Sequence, residues 1–470
     1  MALSSEGLPG KLIVDSLHGD IHLLPKEWAI LDTAAFQRLR RLKQLQMGQV
    51  TYPNATHTRF AHSIGALGVM ARIVSAIRQT LDDRQVENLR MAALLHDIGH
   101  YPYSHLMEWL ENVSLTDELA GDKPSQGSYN AGHAGYPKHE ELGRAIVMSD
   151  PALLEAIGGV ERATEVADIF TRSQAADSQW SKLVHSSLDM DRLDYLPRDS
   201  QAAGVPYGNI DANYLLNSLK ISPTRMLGVT EKALPAAEQY LLARFFMHKT
   251  VYYHKTTFGI EEACRQLLRR MRDAGRFELP ADGPAVLKLV QSPRLMEFTD
   301  EYVDRLIHRA MGEGDDVMRA LARCIANRRP PKLLYEVQVL GEDSRSSHNR
   351  GMFFWAQAKV ALKPLADKFG IPLGQFLLCQ TKPLRLEPRG SRLTAQQARD
   401  ISTEREDELI KVFVKSDPEP KSLVDIEHSL INVCGNYFWQ AFRLYVVYEG
   451  LDSNVIERLR GEARAWDSSA

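Results

Sequence analysis

The sequence lacks any charge-free apolar run of about 18 residues, so no membrane-spanning helix and no membrane partner are expected. Its first ten residues lack the basic-then-apolar order of a secretory leader, so none is expected. Cysteine is scarce, with four among 470 residues, at Cys264, Cys324, Cys379 and Cys434. That wide spacing suits neither a zinc-binding pair nor a secreted disulfide framework. It points to reduced, mostly buried thiols in a cytoplasmic protein. An excess of one charge sign is missing too, since 57 Lys and Arg face 60 Asp and Glu, for a net −3. A nucleic-acid coat needs a strong positive balance, so nucleic acid is not an expected partner. A local basic pocket for a small polyanion remains compatible with that balance. Internal repeats and low-complexity tracts are absent. What is present is an ordinary globular composition, 44% hydrophobic and 25% charged, at a length that suits two or three domains.

Helical periodicity runs to about residue 325. Asp32–Lys43 reads as a helix with Asp32 as its cap, and 57–81 as a long buried one. Helices are also expected over 84–98, from Glu140 through Val147, within 232–273 and over 315–326. The Gly- and Pro-containing stretch within about 112–138 has no periodicity and reads as a flexible loop or lid. After Arg328-Arg329-Pro330-Pro331 the pattern changes. Residues 332–340, 375–380, 410–414 and 443–448 are rich in β-branched and aromatic residues and read as strands, with helical patterns between them. The expected organisation is a mostly α protein. A helical core at 1–325 is followed by a smaller α+β appendage at 326–450 and a charged helical tail at 451–470.

The strongest chemical signal is His96-Asp97-Ile98-Gly99-His100, at the end of an apolar helix. Neighbouring residues on a helix point about 100° apart, so His96 and Asp97 need partners from elsewhere. His62 on the 57–81 helix and Asp191 further on are available. A His96 or Asp97 alone reads more simply as a packed core group. Two His and two Asp in this order suit a divalent ion such as Fe, Mn, Mg, Ni or Zn, with open positions. Such an ion activates water at neutral pH. His100, His105 and His139 add imidazoles suited to proton transfer and phosphate contact. Glu108, three residues after His105, can orient it on a helix. Arg59, Arg192 and Arg244 are candidate grips for a polyanion, and the aromatic segment 244–255 offers rings that stack on a base or sugar.

Taken together, several segments recur in the order of a known family: Phe36-Gln37-Arg38-Leu39-Arg40, Lys43-Gln44-Leu45, Thr58-Arg59-Phe60-Ala61-His62-Ser63, His96-Asp97-Ile98-Gly99-His100, Ser104-His105 and Asp191-Arg192-Leu193-Asp194-Tyr195. The chain resembles the HD-domain deoxynucleoside triphosphate triphosphohydrolases over roughly residues 11–330. These include bacterial dNTPases and the animal enzyme with SAM and HD domains. The resemblance implies an HD helical core, metal ligands His62, His96, Asp97 and Asp191, and His105 as proton donor supported by Glu108. It implies phosphate contacts from His100 and His139, and a triphosphate grip from Arg59, Arg192 and Arg244. Tyr195, Asp199 and Tyr252 would bind the sugar with Gln44 and Leu45, a pair that favours deoxyribose. The implied reaction is hydrolysis of dNTP to deoxynucleoside and triphosphate, with a further Mg on the phosphates. The resemblance also implies a homo-oligomer, dimer or tetramer, and a nucleotide activator. Activator contacts would fall on Lys11, Val14, Asp32, Gln37, Arg40, Arg328 and Lys332, although Val14 stands where the animal enzyme has a polar residue. Two other readings share these motifs. One is hydrolysis of a different nucleotide, such as a dinucleoside polyphosphate, a nucleoside monophosphate or a signalling nucleotide. The other is a catalytically silent nucleotide sensor or single-stranded nucleic-acid binder.

Overall fold

The computed structural model describes residues 11–108, 110, 135–173, 178–222, 226–275, 277–342, 345–386, 409–415, 419–435, 437–450 and 452–467. Most of the loop expected at about 112–138 lies outside them. The chain enters as an antiparallel hairpin, Lys11–Asp15 against Gly19–Leu23, in register from Lys11↔Leu23 to Asp15↔Gly19. The hairpin lies on the helix Arg59–Ala76. That helix starts where the Thr58 hydroxyl accepts the Ala61 N–H, directly after a short bridge pairing Lys43 with Thr58. The same bridge cuts short the helix expected at Asp32–Lys43. Leu42 and Gln44 exchange backbone hydrogen bonds with Arg59 and His57, and the chain must be extended there. The helix shrinks to Ala34–Gln37 plus a 3₁₀ turn at Arg38–Arg41. Its cap is Thr33, whose hydroxyl accepts the Phe36 N–H at 3.3 Å, while Asp32 ends the preceding helix Pro25–Leu31.

The helix Asp83–Leu95 opens on a reciprocal cap between Asp82 and Gln85 and runs inward to the His96-Asp97 pair. Its last turn, Ala92 to Leu95, is wholly buried. Burial of each such Leu stabilises the fold by roughly 1.5–3 kcal/mol, which fixes where the next two side chains emerge. Further helices follow at His139–Ser149, Val160–Thr171 and Met190–Ala203, the last capped by Asp189, which accepts the Arg192 N–H at 2.8 Å. The 232–273 stretch resolves into Leu234–Met247 and Lys255–Ala274, joined by a π-helical turn at His248–Tyr252. Asp300–Glu313 and Asp316–Ala326 complete a large helical core.

A second core surrounds an antiparallel sheet whose central strand, Tyr437–Val446, pairs with Lys332–Glu342 on one side and Phe376–Gln380 on the other. Phe354 and Leu362 from the helix Arg345–Phe369 and Leu459 from the helix Ser453–Ala465 pack with Phe376, Phe442 and Leu444 there. The strand expected at 410–414 does not join this sheet. Lys411–Phe413 runs parallel to Leu227–Thr230, with Val229 opposite Val412, and Val412 is buried in the large helical core. Lys411–Phe413 is only three residues long, too short for its own composition to say which sheet Val412 would enter. The whole is mostly α, as expected. No helix among the described residues is long and apolar enough to cross a membrane. Cys264, Cys324 and Cys379 are buried and Cys434 is half-buried, all unbridged.

Candidate metal centre

Three helix ends bring four side chains together. His62 comes from the first turns of Arg59–Ala76, His96 and Asp97 follow Asp83–Leu95, and Asp191 lies in the first turn of Met190–Ala203. His62 Nε2 lies 2.9 Å from Asp191 Oδ1, 3.3 Å from His96 Nε2 and 3.7 Å from Asp97 Oδ2. His96 Nε2 lies 3.4 Å from Asp97 Oδ1 and 3.6 Å from Asp191 Oδ1. Ligand atoms about 2.1 Å from an ion stand about 3.0 Å apart at right angles and about 3.4 Å apart in a tetrahedron. The observed spacings span those values. Two imidazole nitrogens facing each other at 3.3 Å beside the Asp191 carboxylate form a donor set that a divalent cation fits, while Asp97, next to both imidazoles, also groups with His100 and His139.

Both imidazoles are held with Nε2 turned to this point. His96 Nδ1 donates to the Ala93 carbonyl at 2.8 Å. His62 Nδ1 meets Asp194 Oδ2 at 2.7 Å. Asp194 is fully buried and also takes His18 Nε2 and the Arg198 guanidinium. A carboxylate behind a ligating imidazole fixes its tautomer and raises its basicity. Burial pushes the His62 pKa down, but hydrogen bonds with Asp191 and Asp194 and their charges outweigh it, leaving it raised to about 10. The Asp191 carboxyl moves the other way: burial raises it, and His62 and His96 together hold it far below the usual carboxylate range. An ion entering here must displace the His62 proton, so its affinity rises with pH.

Beside this cluster lies a second group of imidazoles. His100 Nε2 donates to Asp97 Oδ1 at 2.9 Å, and its ring stacks on His139 with centroids 4.0 Å apart. Burial, and then the charges of Arg59 and His139, push His100 well below the ordinary histidine value. It is therefore neutral at neutral pH, with its Nε2 proton directed at Asp97, and its buried Nδ1 has no partner among the described residues. Glu108 joins His105 and His139. Oε2 meets His105 Nδ1 at 2.6 Å, and Oε1 meets both the His139 backbone N–H at 2.9 Å and His139 Nδ1 at 3.1 Å. Burial lowers the His139 pKa, but Glu108 and neighbouring carboxylates more than reverse this. Gly99 makes the approach possible. A Cβ there would stand 2.0 Å from the His139 carbonyl oxygen and 2.2 Å from the Gly143 nitrogen.

The expected polyanion grips are engaged by the protein itself. Arg59 is buried, with Nη1 on Asp97 Oδ2 at 2.5 Å and Nε on the Ser104 hydroxyl at 2.9 Å. Arg192 donates to the Ser186 carbonyl. Burial raises the Tyr195 hydroxyl pKa against the charges of Arg192 and Arg244, so both cations lie near that ring. Tyr195 stands edge-on to His62 and to Tyr252. Asp199 is buried between the Tyr252 hydroxyl, 2.8 Å from Oδ2, and His57 Nε2, 2.7 Å from Oδ1. Gln44 Oε1 is buried without a partner among the described residues, and Leu45 packs beside it against Gly48.

The residues implied for an activator lie apart from this site, on the surface. Gln37 bonds the Leu31 carbonyl and Arg40 Nε. Arg40 covers the Phe60 ring at 3.6 Å, Lys11 covers Trp28 at 3.3 Å, and Lys332 covers Tyr448 at 4.7 Å. Arg328 donates twice to the Val50 carbonyl, while Asp32 and Val14 are exposed. Asp194, His18, Arg198, His57 and Arg38 were not assigned roles from sequence. Asp194 and Arg38 stand inside the motif segments, which is the one signal that marks them.

Comparison with known proteins follows the same lines. Residues 59–170 match the HD domain family model, and residues 210–311 match the model of an HD associated region. The first of these matches spans the helices that carry His62 and lead into His96 and Asp97. Residues 59–170 are thus similar to the HD domain, and the proteins this chain is similar to include deoxynucleoside triphosphate triphosphohydrolases. It is 30% identical over 268 residues to the uncharacterized protein YwfO of Bacillus subtilis, covering 56% of each chain. It is 29% identical over 270 residues to a deoxynucleoside triphosphate triphosphohydrolase SAMHD1 homolog of Dictyostelium discoideum, covering 53% of this chain and 47% of that one. The matched segment thus spans about half the length of these curated relatives. The crystal structure of a phosphohydrolase from Bacteroides thetaiotaomicron has the same fold, with a TM-score of 0.64 and 23% identity over 93% of this chain and 99% of that one.

Proposed function

We propose that the protein is a metal-dependent phosphohydrolase that converts a dNTP and water to deoxynucleoside and triphosphate. The observation that carries this reading is the convergence of His62, His96 and Asp191 on one point, with Asp97 oxygens 3.7 and 3.4 Å from the two imidazoles. A divalent ion held by these four would supply Lewis acidity and activate water. His139, whose pKa Glu108 helps to raise against burial, suits contact with an anionic phosphate. His105, held at Nδ1 by Glu108, is oriented to pass a proton from Nε2 to the sugar oxygen as the bond to the α-phosphorus breaks. His100 and Arg59 suit a different role from the expected phosphate grip. Each spends a donor on Asp97 and orients that carboxylate. The unpartnered Gln44 Oε1 is suited to accept a hydrogen bond from a sugar hydroxyl, with Leu45, Tyr195, Asp199 and Tyr252 around the sugar. A further Mg on the phosphates, an activator at the surface residues named above, a homo-oligomer and a cytoplasmic location belong to the same proposal.

The test is a nucleotide panel with Mn²⁺ or Mg²⁺, with and without dGTP, with products separated by chromatography. The expected outcome is inorganic triphosphate and deoxynucleoside from dNTPs, with ribonucleotides poor substrates. Release of mono- or diphosphate from other nucleotides instead would assign the site to another phosphohydrolase reaction. Tight nucleotide binding with no turnover under any metal would make it a sensor.

A further inference from the structure

We infer that His18, in the turn of the N-terminal hairpin, is a positioning residue for the metal centre, acting on His62 through Asp194. The inference rests on the metal reading above and concerns residues that touch neither ion nor substrate. Asp194 meets four donor atoms, from three residues, with its two oxygens. Oδ2 takes His62 Nδ1 at 2.7 Å and Arg198 Nε at 2.8 Å, while Oδ1 takes His18 Nε2 at 2.6 Å and Arg198 Nη2 at 2.8 Å. With every position filled, the carboxylate cannot rotate away from His62. Two of those partners are themselves set by one residue of the hairpin. Asp15 Oδ1 accepts the backbone N–H of Leu17 and of His18, both at 2.9 Å, which shapes the turn that presents His18. The same carboxylate meets Arg198 Nη2 at 3.0 Å.

The helix that bears His62 is built to receive this arrangement. A Cβ at Gly65 would stand 2.0 Å from Asp194 Oδ1 and 2.2 Å from Arg198 Nη2. A Cβ at Gly68 would stand 2.9 Å from Ile21 Cδ1, in the second strand of the hairpin. Both glycines lie on the turns after His62, so the hairpin and the buried carboxylate dock against one face of the helix. His18 is 176 residues from Asp194 in sequence, and the hairpin turn is what brings them together. Loss of the His18 donor frees Asp194 Oδ1 to swing and loosens its hold on the His62 N–H. Partners behind a metal ligand typically contribute about 10–100-fold to affinity.

The experiment uses the full chain, stripped with a chelator and titrated with Co²⁺ while its visible absorption is followed. His18→Ala is expected to weaken Co²⁺ binding by about 10–100-fold and to change the cobalt spectrum. His18→Gln, which returns an N–H donor at similar reach, is expected to keep the wild-type constant. His22→Ala, on the exposed face of the same hairpin, controls for general loosening and is expected to bind like wild type. A wild-type constant and spectrum in His18→Ala would overturn the proposal, as would equal weakening in His22→Ala. If His18→Ala does not fold, His18→Gln and His18→Leu decide the matter, since equal constants in those two would also overturn it. A wild-type chain that takes up no cobalt would remove the metal reading itself, and this proposal with it.

Discussion

Asp191→Ala and His96→Ala are each expected to lower metal-dependent dNTP hydrolysis by at least ~10³-fold, because several kcal/mol of transition-state stabilisation rest on the bound ion. Asp191 Oδ1 lies within 3.6 Å of both imidazole nitrogens, and no other carboxylate oxygen of the cluster is as near to His62 Nε2. Its loss removes the anion between the two histidines. His62 still keeps Asp194 on its far side, so the fold keeps that pair buried and satisfied. The expected signature is therefore lost turnover with circular dichroism unchanged and only a small shift in Tm. Chromatographic assay of triphosphate release, beside thermal unfolding of the same samples, separates this from simple misfolding. Equal rates in wild type and Asp191→Ala would remove Asp191 from the site.

Arg38→Met is expected to destabilise the protein by about 3–5 kcal/mol, because it leaves buried backbone carbonyls without donors and a poorly filled space. The Arg38 guanidinium is 1% exposed. Nη1 donates to the Phe298 carbonyl at 2.9 Å, and Nη2 donates to the carbonyls of Ile98 and His100 at 2.8 and 2.9 Å. Burial, then Arg41, lowers its pKa to about 10 against the pull of Asp300, so it stays charged at neutral pH. No carboxylate makes a hydrogen bond to it among the described residues; the three carbonyls carry the charge. Lysine reaches this cluster as a point charge without the planar fork, so Arg38→Lys is expected to fall between. The consequence extends to function, since Ile98 and His100 form the turn just past the proposed ligands His96 and Asp97. Urea unfolding measures the loss, and a cost below about 1 kcal/mol would contradict this role for a buried group.

The contrast between these two residues shows what a sequence can and cannot display. His62, His96, Asp97 and Asp191 could be singled out because they are side chains of metal-binding type at helix ends, and chemistry alone limits what such groups do together. Arg38 stood inside a recognised segment, yet its role depends on three backbone carbonyls, which every residue carries and no sequence distinguishes. Arg59 shows contacts that its position in the sequence did not display. An Arg three residues before a ligand suggests a phosphate grip, whereas the structure folds it inward onto Asp97 and Ser104. Glu108 lay at helical spacing from His105, and that contact is present; its second hold, on His139, spans the 112–138 stretch and had no local signal. His18 was hidden for a similar reason, since a five-residue strand and a tight turn leave little periodicity to read. The cap at Thr33 in place of Asp32 is a smaller case. Either residue can cap, and the bridge between Lys43 and Thr58 decided how much helix remained.

Calorimetric titration of the metal-stripped full chain with Mn²⁺ at two pH values reaches the central claim most directly, that these four side chains hold one divalent ion. The account expects one ion per chain, affinity rising about tenfold per pH unit while His62 must give up its proton, and loss of the site in Asp191→Ala. Uptake that is absent, or unchanged by pH and by Asp191→Ala, would contradict it.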